Sequence, residues 1–228
     1  MNDKFVEIKN YGAAQSLPLS ESFKSLRTNL LYSDGVQVIT VTSALANEGK
    51  TMTSYNLAKS FALMSKRVLL MDCDLRKGSL RKYFKIKEHV DGLSEALTNQ
   101  AKDIVYQTSS MDLDIIFSGK KPPNPTEILS NEKFEQLLAY YKTQYDYIIL
   151  DTAPMVISMD ATITGRLSDG VVLVVRNDYV RKKDIKKVKS QLDRNGSRIL
   201  GVVLNRVQKN QVDYQGYDYY DYYNKKEK

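Results

Sequence analysis

Three short stretches hold residues whose types and spacing suit phosphoryl chemistry. Ala44-Leu-Ala-Asn-Glu-Gly49-Lys50-Thr51 follows the phosphate-loop pattern G-x-x-x-x-G-K-[ST], with alanine in the first glycine position. Such a loop needs a tight turn whose amides converge on phosphate oxygens, a lysine to neutralise them and a hydroxyl to hold Mg²⁺. Gly49, Lys50 and Thr51 supply these groups. Leu69-Leu-Met-Asp72-Cys-Asp74-Leu-Arg76 sets two carboxylates two residues apart, on one side of the chain if extended geometry persists. Ile148-Ile-Leu-Asp151-Thr-Ala-Pro154 adds a third. Carboxylates gathered beside a phosphate loop can hold Mg²⁺ on a nucleotide, and one of the three is available as a base for an incoming hydroxyl.

These groups meet only if the right elements carry them. Val36–Thr42 has the alternating, β-branched character of a strand, and Thr51–Met64 places Leu57, Phe61 and Met64 on one helical face. The loop therefore lies between a strand and a helix, whose N-terminal dipole and free amides favour an anion. Val68–Met71, Leu113–Phe117, Tyr147–Leu150, Val171–Val175 and Ile199–Leu204 read as further strands, nearly all apolar and separated by helical patterns. That pattern predicts an α/β fold with a mainly parallel sheet covered on both faces, spanning residues 36–207. The C-terminal strand ends of a parallel sheet share one rim, so the loop and the three carboxylates can converge there.

Two pieces stand outside this domain. Residues 18–31 read as an amphipathic helix with Ser20 as N-cap and Phe23, Leu26 and Leu30 on one side, able to pack on its own sheet or on a neighbour. The N-terminal unit is thus residues 1–35. Residues 208–228 form a tail in which Tyr214, Tyr217, Tyr219, Tyr220, Tyr222 and Tyr223 crowd among polar residues, a composition that predicts disorder.

Composition removes several other chemistries. The 228 residues are 42% hydrophobic, enough for a core, and include one cysteine, Cys73, and one histidine, His89. Neither an internal disulfide nor a zinc cage can be built, and a Ser-His-Asp or Cys-His pair would have to use His89. His89-Val-Asp91 lacks the arginine and later asparagine of a eukaryotic kinase loop, and no Asp-Phe-Gly is present. The longest apolar run, Val171–Val175, is far too short to cross a membrane, and the start lacks a signal peptide's apolar core. The expectation is a cytoplasmic protein.

The net charge of +7 is unevenly placed. Residues 76–87 carry six cations and no acid, and residues 176–189 carry seven cations against Asp178 and Asp184. Such clusters fit nucleic acid, anionic lipid, a polyanionic ligand or a solvated helix face.

Taken together, residues 44–51, 69–76, 148–154 and 214–223 resemble the bacterial tyrosine kinases of capsule and exopolysaccharide synthesis, in their stand-alone cytoplasmic, Gram-positive form. The likeness covers nearly the whole chain and implies a P-loop NTPase fold using ATP and Mg²⁺. It implies that Lys50 contacts the β/γ phosphates, that Thr51, Asp72 and Asp151 hold the metal, and that Asp72 and Asp74 hold metal or water and activate the attacking tyrosine. Arg76 would bind phosphate or orient an aspartate. Asn47, Glu48, Gly49, Lys50, Thr51 and Met52 would line the ATP, and Asn205 and Arg206 would read adenine. The tail tyrosines would be autophosphorylation sites, modified in trans within an oligomer.

The family's oligomerisation motif, E-x-x-R-x-x-R, reads here Glu21-x-x-Lys24-x-x-Arg27. Lysine keeps the charge but loses arginine's planar fork. The resemblance further implies a ring-like homo-oligomer, a membrane-anchored chain-length regulator that activates the kinase and recruits it to the inner face of the plasma membrane, and a protein-tyrosine phosphatase. No nucleic-acid partner is expected. Two rival readings share the loop: a partitioning ATPase, which would place a lysine where Leu45 stands, and a nucleotide-binding adaptor with little catalysis.

Overall fold

Alternate residues of an extended chain point to opposite faces, so strands that are apolar at every position need helices on both sides. That arrangement is present in the computed structural model, which describes residues 5–6, 17–108 and 111–207. The strands are β1 (Phe5–Val6), β2 (Val38–Ser43), β3 (Val68–Asp72), β4 (Val105–Thr108), β5 (Leu113–Ile116), β6 (Tyr147–Asp151), β7 (Gly170–Arg176) and β8 (Ile199–Asn205). They form one sheet in the order β1-β4-β5-β3-β6-β2-β7-β8, parallel throughout except for β4 against β5. The helices are α1 (Leu17–Leu31), α2 (Lys50–Ala62), α3 (Ser79–Tyr83), α4 (Leu93–Leu97), α5 (Pro125–Leu129), α6 (Glu132–Lys142), α7 (Asp160–Leu167) and α8 (Lys182–Arg194).

Strand alternation divides the core. Ile39, Val41, Leu70, Ile149 and Val172 meet Phe23 and Leu30 of α1, Leu57 and Phe61 of α2, and Leu80 of α3. Val38, Leu69, Met71 and Ile148 face the other way, onto Leu93 of α4, Leu129 of α5, and Phe134 and Leu138 of α6. Val171, Leu173 and Val175 pack on that second face against Ala161, Val188 and Leu192 of α7 and α8. Each large side chain fully buried in this way contributes roughly 1.5–3 kcal/mol. Phe61 also stacks on Tyr147, with ring centroids 4.0 Å apart.

All six expected strands are present, each within two residues of its expected start and end, and the sheet adds β1 and β4. β4 escapes a pattern search because Val105-Tyr-Gln-Thr108 is short, half polar and only alternately buried. Ser20 does not cap α1, because the helix begins at Leu17; Pro18, with φ already fixed near the helical value, suits a first turn. Met64 leaves the apolar face of α2. The helix ends at Ala62, and tight turns from Met64 N to Phe61 O and Ser65 N to Ala62 O break its period, leaving Met64 41% exposed. The helix lies on α2, with Phe23 and Leu30 in the core.

Candidate active site

The strand-loop-helix unit β2–α2 is held by contacts between distant parts of the chain. Gly49 has φ 96°, a left-handed conformation that favours glycine. A Cβ there would lie 2.1 Å from Nδ2 of Asn205. The Asn205 amide occupies that space to donate to the Glu48 carbonyl at 2.7 Å, fastening the loop to the end of β8. The Glu48 carboxylate, 0% exposed, accepts from the backbone N–H of Leu45 at 2.5 Å and of Arg176 at 3.0 Å. Its side chain thus braces the loop from inside. Asn47 is exposed and left-handed at φ 63°, whereas buried Ala44 has a negative φ, so the first loop position does not need glycine. No side chain caps α2, which leaves its first-turn amides, at Lys50, Thr51 and Met52, without the usual competitor for an anion.

The three carboxylates come to the same rim because β3 and β6 are neighbours in register, with Asp72 opposite Asp151. Both are fully buried, and Asp74 is 2% exposed. The Thr51 hydroxyl donates to Asp151 Oδ2 at 2.7 Å and the Ser54 hydroxyl to Oδ1 at 3.0 Å. Asp72 accepts the backbone N–H of Asp74 (3.1 Å) and of Leu80 (2.9 Å). Asp74 accepts those of Arg76 and Lys77 at 3.2 and 3.1 Å. Burial raises the Asp151 pKa to about 6 against the opposing pull of Lys50 and its two hydroxyl donors. Burial and the Asp151 charge push Asp72 well above the usual carboxylate range. Two buried carboxylates that ionise reluctantly, Asp72 and Asp151, beside one buried lysine, call for a cation. The donor set fits Mg²⁺, which takes one or two carboxylates and otherwise keeps water or phosphate oxygens.

Several participants, Ser54, Thr126 and Asp160 among them, lie outside the sequence motifs. Ser54 lies one turn beyond Thr51, a spacing that could have drawn attention to it. Arg76 does not turn back to the aspartates of its own motif. Its Nε lies 3.1 Å from Oδ2 of buried Asp160 and its Nη2 donates to Thr126 Oγ1 at 2.7 Å, while Thr126 donates to Asp160 Oδ1 at 2.8 Å. The aspartate it contacts is thus Asp160, at the start of α7. Arg206 is exposed, with φ 59°.

Of the helix α1 residues, Glu21 and Lys24 form an exposed ion pair at 2.7 Å. Arg27 reaches into its own subunit, donating from Nη1 to Ser60 O at 2.6 Å. His89 is exposed, 3.3 Å from Asp91. Tyr214, Tyr217, Tyr219, Tyr220, Tyr222 and Tyr223, with the disorder expected of their segment, lie outside the described residues.

Comparison with known proteins bears on this geometry. Residues 36–210 match the family model described as an AAA domain. The chain is 38% identical over 210 residues to "Tyrosine-protein kinase CpsD" of Streptococcus pneumoniae, covering 90% of this chain and 92% of that one. Among solved structures, the chimerical protein CapA2B2 superposes with a TM-score of 0.82 at 33% identity, covering 91% of this chain and 92% of that one. The kinase domain of the Escherichia coli tyrosine kinase ETK does so with a TM-score of 0.80 at 31% identity, covering 86% and 78%.

Proposed function

Because the chain belongs to the bacterial tyrosine-protein kinase family, we propose that it transfers the γ-phosphoryl group of ATP to the tyrosines of residues 214–223, in trans within a ring-like homo-oligomer. The observation that carries this reading is the convergence of Lys50, Thr51, Asp72, Asp74 and Asp151 on one rim of the sheet. Lys50 and the first amides of α2 bind the β and γ phosphates. Thr51, Asp72 and Asp151 hold Mg²⁺, which when bound neutralises charge on the phosphate oxygens. Asp72 or Asp74 accepts the tyrosine proton as the phenolic oxygen bonds to the γ-phosphorus and the bond to the β-phosphate oxygen breaks, releasing ADP. Asn205 and Arg206 read the base.

The capsule and exopolysaccharide role of such kinases supplies the rest of the reading. The enzyme acts in the cytoplasm and is drawn to the membrane and activated by a membrane-anchored chain-length regulator. Among the described residues, no helix is long and apolar enough to cross a membrane itself. A protein-tyrosine phosphatase resets the tail, and the cycle controls polysaccharide synthesis and export. Glu21, Lys24 and Arg27 contribute to the subunit interface.

Intact mass after incubation with ATP and Mg²⁺ tests this directly. The native chain should gain several phosphates, Lys50→Met none, and a chain truncated after Gln208 none. Nucleotide binding without any phosphate gain, even with a membrane activator present, would turn the reading to a nucleotide switch or adaptor.

A further inference from the structure

After Asp151-Thr-Ala-Pro154 the chain turns outward through Met155–Met159 before entering α7. Two backbone bonds pin this turn to the mouth of the phosphate loop, Met155 N to Ser43 O at 2.9 Å and Val156 N to Ala44 O at 3.1 Å. Beyond the pins, Val156, Ile157 and Met159 are 57%, 53% and 48% exposed. A groove of about 200 Å³ runs between this turn and α8, where Lys187, Val188 and Gln191 form its other wall. On α8, Lys182, Lys183, Lys186 and Lys187 are exposed. Among the described residues none of these four has an ion-pair partner, whereas Arg181 pairs with Asp184 and Lys189 with Asp193. An apolar strip lined by Lys187, with Lys182, Lys183 and Lys186 exposed further along the same helix and the phosphate loop close by, fits a ligand that is both aromatic and anionic.

The chain contains such a ligand. Asp213–Tyr223 holds six tyrosines, three aspartates and no lysine or arginine. The segment departs from the same rim, since β8 ends at Asn205 with its side chain on the phosphate loop. The six residues 208–213 give that segment up to about 20 Å of reach. We propose that the groove between Met155–Met159 and α8 is a docking site for Asp213–Tyr223 of a neighbouring copy, in keeping with transfer in trans, holding the segment beside the phosphate loop through Val156, Ile157, Met159 and the α8 lysines while its tyrosines are presented in turn. The proposal rests on the tail being the kinase substrate.

The test uses the full chain with Mg²⁺-ATP and a synthetic Val212–Asn224 peptide as added substrate. Ile157→Ser with Met159→Ser, and separately Lys183→Glu with Lys187→Glu, should raise the peptide KM at least five-fold with kcat and the ATP KM within two-fold. Replacing the peptide's three aspartates by asparagine should raise KM on the native chain but not on the lysine variant. Lys82→Glu with Lys87→Glu, an equal charge change on the other basic cluster, should leave KM unchanged. An unchanged KM in both groove variants, or an equal rise in the control, overturns the proposal. So does altered sedimentation with unchanged KM, which would make the groove an interface between copies. If the native chain phosphorylates neither peptide nor tail, the substrate reading fails by itself. Anisotropy of the labelled peptide, with the same variants, then decides docking: variant-sensitive binding supports it and variant-independent binding overturns it.

Discussion

Asp151 carries, with Asp72, the physical cost of the site. Its folded pKa of about 6 lies above the unfolded value, so the ionised form destabilises the fold. The sign follows from linkage: the penalty is in place above pH 6 and is relieved as pH falls through that value. The metal-free protein should therefore gain stability between pH 7.5 and 5.5, before other carboxylates protonate. Asp151→Asn keeps partners for both hydroxyls, since Thr51 and Ser54 can each rotate to donate or accept. It should raise the melting temperature of the metal-free protein at pH 7.5 by about 2–8 °C, taking about 1–2 kcal/mol relieved at about 2–4 °C per kcal/mol, and abolish Mg²⁺-dependent phosphorylation. Thermal melts from pH 5.5 to 8 with and without Mg²⁺ check this, and the gain should shrink when the cation is present. Glu48 makes a contrasting case. It is also a buried carboxylate, but two backbone amides occupy it, and its task is to fix the shape of the loop.

At the scale of elements, the D-x-D-x-R segment is held at both ends. Asp72 and Asp74 are fastened by the backbone amides that follow them. Arg76 ties the segment to α5 and α7 through Thr126 and Asp160. Asp160 is fully buried while the Arg76 side chain is 31% exposed. The roughly 3–5 kcal/mol cost of breaking a fully buried pair is therefore discounted for solvent screening to about 1–3 kcal/mol. Asp160→Asn should destabilise the fold by that amount and lower kcat about ten-fold with the ATP KM within two-fold, because the nucleotide loop is braced separately by Glu48 and Asn205. Denaturant titration and steady-state kinetics on one preparation separate the two effects. A rise in ATP KM with normal kcat would show that the arginine acts on nucleotide instead.

At the scale of the whole molecule, the interface expected on α1 and the core share a residue. Among the described residues Lys24 pairs with Glu21, both well exposed, so Lys24→Ala should cost less than about 1 kcal/mol of monomer stability. Arg27 makes a charge-assisted bond to the last turn of α2, and Arg27→Ala should cost about 1–2 kcal/mol. If both residues serve assembly, each substitution weakens association in sedimentation velocity, but only Arg27→Ala also lowers the melting temperature. The local elements behind these predictions were legible: strands from continuous apolar runs, α2 from its period, the loop from Gly49-Lys50-Thr51, and the carboxylates from their places after strands. The braces were not. Glu48, Ser54, Asp160 and Asn205 are, within their own segments, ordinary polar residues, and they have partners 128, 97, 84 and 157 positions away respectively. Met64 and Ser20 went against expectation because helix ends are set by turns and by proline, which periodicity does not register. The sequence by itself determined the α/β class, the phosphate loop and the supply of carboxylates, since each depends on hydrophobic pattern or on residues within one short segment. The tertiary structure alone decided that β3 lies against β6 and β6 against β2. This strand order, set by packing between distant segments, places Asp72 beside Asp151 and brings Asp151 to Thr51.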